Sequence, residues 1–232
     1  MNAPNLISGV WYFLTFRGLK LSSPKHVDVF LIAGLIFAWI AGIGRYWDHP
    51  SAQLWQYLGL GSVIYVFVLA LLIWGIIAPL KPINWRYKDV LTFVALTSPL
   101  AWLYAIPVER FLPMETAIDL NIYFLAIVAF WRVALFVHFL KAYARLSWLK
   151  VVVASLLPLA IILFALTLLN LEQAVFEIMA GLEEERSRDG VQRIHDSVYA
   201  TTFFLGILSI WSMPILVITY LVMIVKTRNK KE

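Results

Sequence analysis

Polar positions divide the chain into six long apolar stretches. The stretches are Val27–Tyr46, Leu54–Ala78, Val90–Ile106, Leu120–Leu140, Val151–Leu171 and Val198–Val225. A helix needs about 20 predominantly apolar residues to cross a hydrocarbon core of ~30 Å. The runs are continuous and show no alternation, which excludes a transmembrane β-barrel. The pattern therefore predicts an all-α, polytopic transmembrane bundle of six spans, of which the third is the shortest.

Three prolines fall inside these predicted spans. They are Pro99, Pro158 and Pro214. A proline within a helix removes a backbone hydrogen bond and favours a kink. Each has a serine one to three residues earlier, whose hydroxyl can supply a replacement hydrogen bond.

The first 26 residues predict an amphipathic helix. Apolar residues recur at helical spacing from Leu6 to Leu14, and Arg17 interrupts the apolar part. The segment lacks the basic start and the cleavage site of a signal peptide. We expect a helix over Leu6–Leu19 that lies in the cytoplasmic membrane interface, with a lipid anchor as its simplest role.

A second amphipathic region precedes the last span. Apolar residues keep helical spacing before and after the Asp189-Gly190 turn signal, so residues 172–197 predict an acidic helical hairpin outside the cytoplasm. The chain then divides into five predicted parts. They are an interfacial segment (1–26), a bundle of five spans (27–171), the outer hairpin (172–197), the sixth span (198–225) and a basic cytoplasmic tail (226–232).

Composition supports the membrane assignment. Of the 232 residues, 62% are hydrophobic and 14% are charged, and the mean hydropathy is +0.81. A soluble chain has about 25% charged residues. The chain contains no cysteine, so disulfides, thiolate catalysis and cysteine-based metal sites are excluded.

The distribution of charge orients the six predicted spans. With the N-terminus in the cytoplasm, 13 of the 19 Lys and Arg residues lie in cytoplasmic segments and five lie outside. Acidic residues divide three inside and eleven outside, which gives +10 on the inner side and −6 on the outer side. The positive-inside rule then predicts that both termini are cytoplasmic. The basic balance suits anionic lipid headgroups, and nucleic acid need not be invoked as a partner.

Small residues mark one face of the first span. Gly34, Ala38 and Gly42 recur at four-residue spacing. Such spacing lets a second helix approach closely, which matters because apolar attraction does not drive association within lipid. The partner helix is internal or belongs to another chain, and an internal partner is the simpler expectation.

Arg132 is the one charged residue that lies deep inside a predicted span, away from the span ends. It lies thirteen positions after Asp119, at a depth where a cation costs ~2.5–3.5 kcal/mol on insertion scales. One interpretation is that Arg132 snorkels to the inner headgroups. The others are contact with an anion or a lipid phosphate, or with an acid of a partner subunit.

Three further candidates for lipid or anion contact follow Arg132. His138, Lys141 and Arg145 are spaced by three and four residues, so we expect them on one helical stripe at the cytoplasmic end of the fourth span. Positive-inside orientation is by itself sufficient reason for this basic stripe.

Catalytic and metal-binding patterns are weak. Glu183-Glu184-x-x-x-Arg188 matches the first signature of the intramembrane proteases related to prenyl-protein endopeptidases. The match lies in a polar loop, and no later Phe-x-x-x-His motif completes a site. The four histidines lack the spacing of zinc ligands. We therefore expect no catalytic residues, no metal and no cofactor.

Part of the chain resembles a known family. The segments that carry the resemblance are Trp85-Arg86-Tyr87-Lys88-Asp89-Val90-Leu91, Thr97-Ser98-Pro99 and Phe130–Leu149. They are similar to the bacterial branch of the Yip superfamily, in which a comparable loop leads into a helix with a mid-span proline. The likeness covers Lys81–Leu171. The chain departs from the family in its six predicted spans, its outer hairpin and its short N-terminal segment, which puts small-GTPase binding in doubt.

The resemblance implies a non-enzymatic membrane adaptor or organiser, and the residues alone favour the same class. We expect a bacterial inner-membrane protein that binds anionic lipids and partner subunits. It would use its small-residue face, the basic stripe at its cytoplasmic side and its outer hairpin. The first alternative is a small permease with Arg132 in an anion or lipid path. The second is an intramembrane hydrolase that uses Glu183, Glu184 and Arg188.

Overall fold

The structure is a computed structural model that describes residues 6–17, 24–46, 53–83, 85–169 and 189–229. These residues form helices and turns, with no strand among them. The α-helices are α1 (Leu6–Leu14), α2 (Pro24–Tyr46), α3 (Leu54–Tyr57), α4 (Leu60–Ile77), α5 (Tyr87–Leu96), α6 (Met114–Ala142), α7 (Trp148–Leu168) and α8 (Asp189–Asn229). Short 3₁₀ helices cover Ala78–Leu80, Ser98–Ala105 and Val108–Arg110. The expectation of an all-helical chain is confirmed for the described residues.

Five described helices are long and apolar enough to cross a membrane, as a multi-pass membrane protein requires. The segments are Val27–Gly44, Leu60–Leu80, Asp119–Ala142, Trp148–Leu168 and Phe203–Asn229. They correspond to the first, second, fourth, fifth and sixth predicted spans.

The chain folds into two compact units. The first contains Met1–Ile106 and Val128–Val151, and the second contains Pro107–Ile127 and Val152–Glu232. Helices α6 and α7 therefore contribute residues to both units.

The third predicted span is not one α-helix. Helix α5 ends at Leu96, and the chain continues as the 3₁₀ helix Ser98–Ala105. Pro99 causes the change, because it has no N–H and restricts the residue before it. The Thr97 hydroxyl donates to the Val94 carbonyl at this junction, with 2.7 Å between the two oxygen atoms. The α-helical part rises about 15 Å, and the 3₁₀ part rises about 16 Å.

The second predicted span is interrupted near its start. Gly59 has φ 65° and separates α3 from α4. A Cβ atom at this position would lie 2.7 Å from the Trp39 carbonyl oxygen and 2.8 Å from the Ile43 amide nitrogen of α2. The Trp39 indole N–H also donates to the Leu58 carbonyl at 2.8 Å. Only glycine fits this close approach of the chain to α2.

Helix α2 is the centre of the first unit. It packs against α4, α5 and the 3₁₀ helix Ser98–Ala105. A Cβ at Gly34 would lie 2.7 Å from the Ala95 Cβ, so α5 approaches α2 through this glycine. Further along, the Trp102 indole N–H donates to the Phe37 carbonyl at 3.1 Å. Tight backbone approach and a side-chain hydrogen bond thus join the two parts of the third predicted span to α2.

Helix α1 packs on the first unit. Its Phe13 ring contacts the Phe93 ring of α5 edge-on, with centroids 5.8 Å apart, and the Trp131 indole N–H donates to the Leu14 carbonyl at 2.9 Å. The helix begins at Leu6 as predicted but ends at Leu14, before the predicted Leu19. The reason is Phe16, whose φ of 61° takes the chain out of the helix.

The second unit contains the C-terminal helix α8. Its Gly206 approaches Thr167 of α7, since a Cβ there would lie 3.0 Å from the Thr167 hydroxyl oxygen. Pro158 and Pro214 lie inside α7 and α8, and neither ends its helix. Residues 170–188, which include most of the predicted outer hairpin, lie outside the described residues.

We predict that Gly59→Ala lowers the free energy of unfolding by about 2 kcal/mol or more, because alanine is strained at positive φ and its Cβ clashes with the backbone of α2. Gly75 of α4 is the control, since a Cβ at Gly75 has nothing within 4 Å. We expect Gly75→Ala to change stability by less than about 1 kcal/mol. Thermal unfolding in detergent measures both variants, and equal melting temperatures would contradict the assigned role of Gly59.

Candidate functional site: a polar cluster at the ends of α4, α5 and α6

A buried carboxylate lies in the first turn of α5. The Asp89 side chain is 1% exposed, and that of Arg86 is 61% exposed. The Arg86 guanidinium donates two hydrogen bonds to the carboxylate, from Nε to Oδ2 at 2.8 Å and from Nη2 to Oδ1 at 3.1 Å. An acidic residue in this position is also favoured by the positive end of the helix dipole. The two hydrogen bonds from Arg86 thus offset the free-energy cost of burying the Asp89 carboxylate.

Tyr143 completes the cluster from just beyond the end of α6. Burial, together with the hydrogen bond of its phenol with Asp89, raises the pKa of Tyr143 to about 12. The Phe139 ring stacks on the Tyr143 ring, with centroids 4.9 Å apart. The hydrogen bond with Asp89 likewise raises the pKa of Arg86. Tyr143 therefore stays protonated at neutral pH, where its hydroxyl is a donor.

Two turns meet beside this cluster. The turn of residues 81–86, of which the structure describes 81–83 and 85–86, lies between α4 and α5 in the chain, and the turn of residues 143–147 joins α6 to α7. The Ile83 N–H donates to the Ala144 carbonyl at 3.2 Å. The Lys150 ammonium donates to the Leu80 carbonyl at 3.0 Å. These bonds hold the two turns side by side within the first unit.

A second ion pair joins α2 to α5. The Lys88 ammonium pairs with the Asp28 carboxylate, and both side chains are about half exposed. The acids of these helix ends are thus paired with cations, Asp28 with Lys88 and Asp89 with Arg86.

The predicted basic stripe is wrong at Arg145. Helix α6 ends at Ala142, so Arg145 lies in the 143–147 turn with φ 51° and an exposed side chain. The helix ends because the amides of Tyr143 and Ala144 both donate to the Phe139 carbonyl, which closes the helix. Lys141 is on α6, and its ammonium lies 4.9 Å from the centre of the Trp148 ring.

The other two lipid-contact candidates lie on α6. The His138 ring contacts the Phe16 ring edge-on, with centroids 5.8 Å apart. Arg132 is half-buried, and its Nε is buried without a hydrogen-bond partner among the described residues. His138 and Arg132 do not join the Arg86–Asp89–Tyr143 cluster.

The small-residue face of α2 is filled from within the chain. Gly34 meets Ala95, and a Cβ at Gly42 would lie 2.7 Å from the Gly59 carbonyl oxygen. Ala38, between them, is 1% exposed. These contacts agree with the simpler expectation of an internal partner, because the backbones that approach the small residues belong to α5 and to the start of α4.

The arrangement is suited to holding helix ends together. Its polar groups hydrogen-bond to one another and to the main chain, and the adjacent rings of Trp85, Phe93 and Phe139 cover them with apolar surface. Among the described residues, no group of three or more His, Asp or Glu side chains can hold a metal ion. Glu183, Glu184 and Arg188 of the hydrolase alternative lie outside the described residues.

The polar cluster was not predicted from the sequence. The charge distribution along the chain treats Arg86 and Asp89 as ordinary charged residues of a cytoplasmic loop. The signal that points to them is local: an arginine three residues before an aspartate, at the start of an apolar run. Nothing local points to Tyr143, which lies 54 positions after Asp89.

The fold and the cluster define a multi-pass, all-helical class of protein. Comparison with protein-family models, curated proteins and solved structures finds no match to the chain. Function therefore has to be inferred from the residues and their contacts.

We predict that Asp89→Asn lowers the free energy of unfolding by ~1–3 kcal/mol, because a buried hydrogen-bonded group loses its charge-assisted partner. Asp28→Asn is the matched control, and we expect less than about 1 kcal/mol since this pair is half exposed. Thermal unfolding in detergent measures both. Equal losses for the two variants would show that the Asp89 pair contributes no more than a surface ion pair.

Proposed function

We propose that the chain is a non-catalytic membrane protein that acts as an adaptor, an organiser or an accessory subunit of a membrane complex. The observation that carries the proposal is the use of its polar side chains. Arg86, Asp89, Tyr143 and Lys150 bind one another or main-chain carbonyls and join helix ends. Because these polar groups bind within the chain, we propose that the protein acts by binding partners. The resemblance to the Yip superfamily favours the same class.

The proposal includes six spans with both termini in the cytoplasm, in the inner membrane of a bacterium. The α5 segment and the following 3₁₀ helix form the third span, because their combined rise of about 31 Å matches the hydrocarbon thickness. The excess of Lys and Arg in the segments assigned to the inner side supports the orientation. In this arrangement the turns of residues 81–86 and 143–147 face the cytoplasm.

One helix face is open to a partner's transmembrane helix. Leu60, Ile64, Val68, Leu71 and Gly75 recur at spacings of three and four on α4, and all are exposed. Gly75 differs from Gly34 and Gly42 in having no neighbour within 4 Å of a Cβ position. Because small residues permit close helix packing in lipid, we propose this α4 face as the docking surface for a partner subunit.

The transport alternative rests on Arg132. A permease brings paired polar groups together near the bilayer midplane. Among the described residues, Arg132 forms no ion pair and its Nε has no hydrogen-bond partner. One half-buried cation does not define a transport path through the membrane, so transport is not proposed as a second function.

We predict that Gly75→Leu lowers the yield of a co-purifying membrane subunit about tenfold, because the added side chain fills the space a partner helix would use. A tenfold loss corresponds to about 1.4 kcal/mol of binding free energy. The measurement is purification in mild detergent with quantitative mass spectrometry of the bound proteins.

Ala126→Leu is the matched control, because Ala126 is exposed on α6 and the substitution adds a similar bulk to another helix. Its partner yield should equal that of the unaltered protein, and both variants should keep its melting temperature. The proposal fails if Gly75→Leu retains every partner, or if the unaltered protein purifies without a stoichiometric one.

A further inference from the structure

The turns of residues 81–86 and 143–147 each carry a cation in an unusual backbone conformation. Lys81 has φ 53° and Arg145 has φ 51°. This left-handed conformation is adopted most readily by glycine. Both positions follow the end of a helix, where glycine is the common residue. Lysine and arginine in these two places are therefore not explained by the geometry of the turns.

Both cations are exposed, and neither has a partner among the residues that the structure describes. Lys81 and Arg145 form no ion pair and no side-chain hydrogen bond within the described residues. The two acids of the neighbouring helix ends are engaged elsewhere, Asp28 with Lys88 and Asp89 with Arg86. Within the described part of the chain, Lys81 and Arg145 thus have no counter-charge.

The two cations are held close to each other. The hydrogen bond from the Ile83 N–H to the Ala144 carbonyl fixes the backbones at 3.2 Å. Lys81 is two residues before this bond and Arg145 is one residue after it. With ~3.8 Å between successive Cα atoms, the two residues lie on adjacent backbone segments.

Apolar surface lies next to these charges. Trp148 and Leu149, at the start of α7, are both exposed, at 62% and 65%. The Lys141 ammonium lies over the Trp148 ring at 4.9 Å and also donates to the Leu146 carbonyl at 3.4 Å. Tryptophan beside lysine is typical of the level of lipid headgroups. A free anion has no use for this apolar surface, whereas a lipid places its acyl chains there.

We infer that the two turns form a binding site for the phosphate headgroup of an anionic lipid. Lys81 and Arg145 contact the phosphate, Lys141 adds charge beside it, and Trp148 and Leu149 contact the acyl chain. The inference deepens the proposed function, since it assigns the lipid partner of the inner face to specific residues.

The test is lipid retention by the purified full-length chain. The protein is reconstituted in nanodiscs of phosphatidylglycerol and phosphatidylcholine, extracted into mild detergent and examined by native mass spectrometry. The variant is Lys81→Gly with Arg145→Gly. Glycine suits the positive φ at both positions, so we expect the variant to fold with an unchanged or higher melting temperature.

The unaltered protein should retain one phosphatidylglycerol, and the double variant should retain it at least tenfold less. The charge-matched control is Lys226→Gln with Arg228→Gln, which removes two exposed cations from the end of α8 and should change retention less than twofold. The inference is overturned if the double variant retains the lipid, or if the control loses it equally. It is also overturned if inorganic phosphate displaces the lipid, because the site then recognises a free anion.

This experiment needs no partner protein. Loss of lipid retention in the double variant with no effect of Gly75→Leu on partners would leave the lipid site standing and remove the adaptor function. The reverse pair of results would remove the lipid site alone.

Discussion

The ion pair between Arg86 and Asp89 holds a buried carboxylate at the start of α5. A carboxylate with 1% of its side chain exposed is costly unless it is paired and hydrogen-bonded. Arg86, which lies just before α5, forms the ion pair with Asp89. Tyr143, which follows the end of α6, also hydrogen-bonds to Asp89. Asp89 thus connects the start of α5 with the residue that follows α6. Its partners lie in the 81–86 and 143–147 turns, which the bond from the Ile83 N–H to the Ala144 carbonyl also joins.

Most of the fold follows from the apolar runs. In lipid, a spanning segment must satisfy its own backbone hydrogen bonds, so a run of about 20 apolar residues permits few structures besides a helix. Two of the apolar runs do not form one continuous α-helix, and each interruption has a local cause. Pro99 converts the end of the third run to a 3₁₀ helix, and Gly59 divides the second. The effect of a proline can be predicted from the sequence. The need for glycine at position 59 cannot, because it arises from the close approach of the α2 backbone.

The site is less predictable, because its contacts join residues far apart in the chain. A charge count treats Asp89 as solvated, although its side chain is buried in the folded structure. Helical spacing places Arg145 on a stripe with Lys141, but α6 ends first. The sequence alone gives no reason to assign different roles to Gly34 of α2 and Gly75 of α4. Only the packed structure distinguishes Gly34, which contacts Ala95, from Gly75, which has open space beside it.

The measurement that most directly tests the account is the side of the membrane on which the two turns lie. The chain has no cysteine, so single-cysteine variants can be labelled with an impermeant maleimide. We predict that Ser147→Cys reacts only after cells are permeabilised, and that Phe111→Cys, in the connection between the third and fourth spans, reacts in intact cells. Labelling of Ser147→Cys in intact cells would contradict the orientation, and with it the assignment of the basic turns to the inner leaflet.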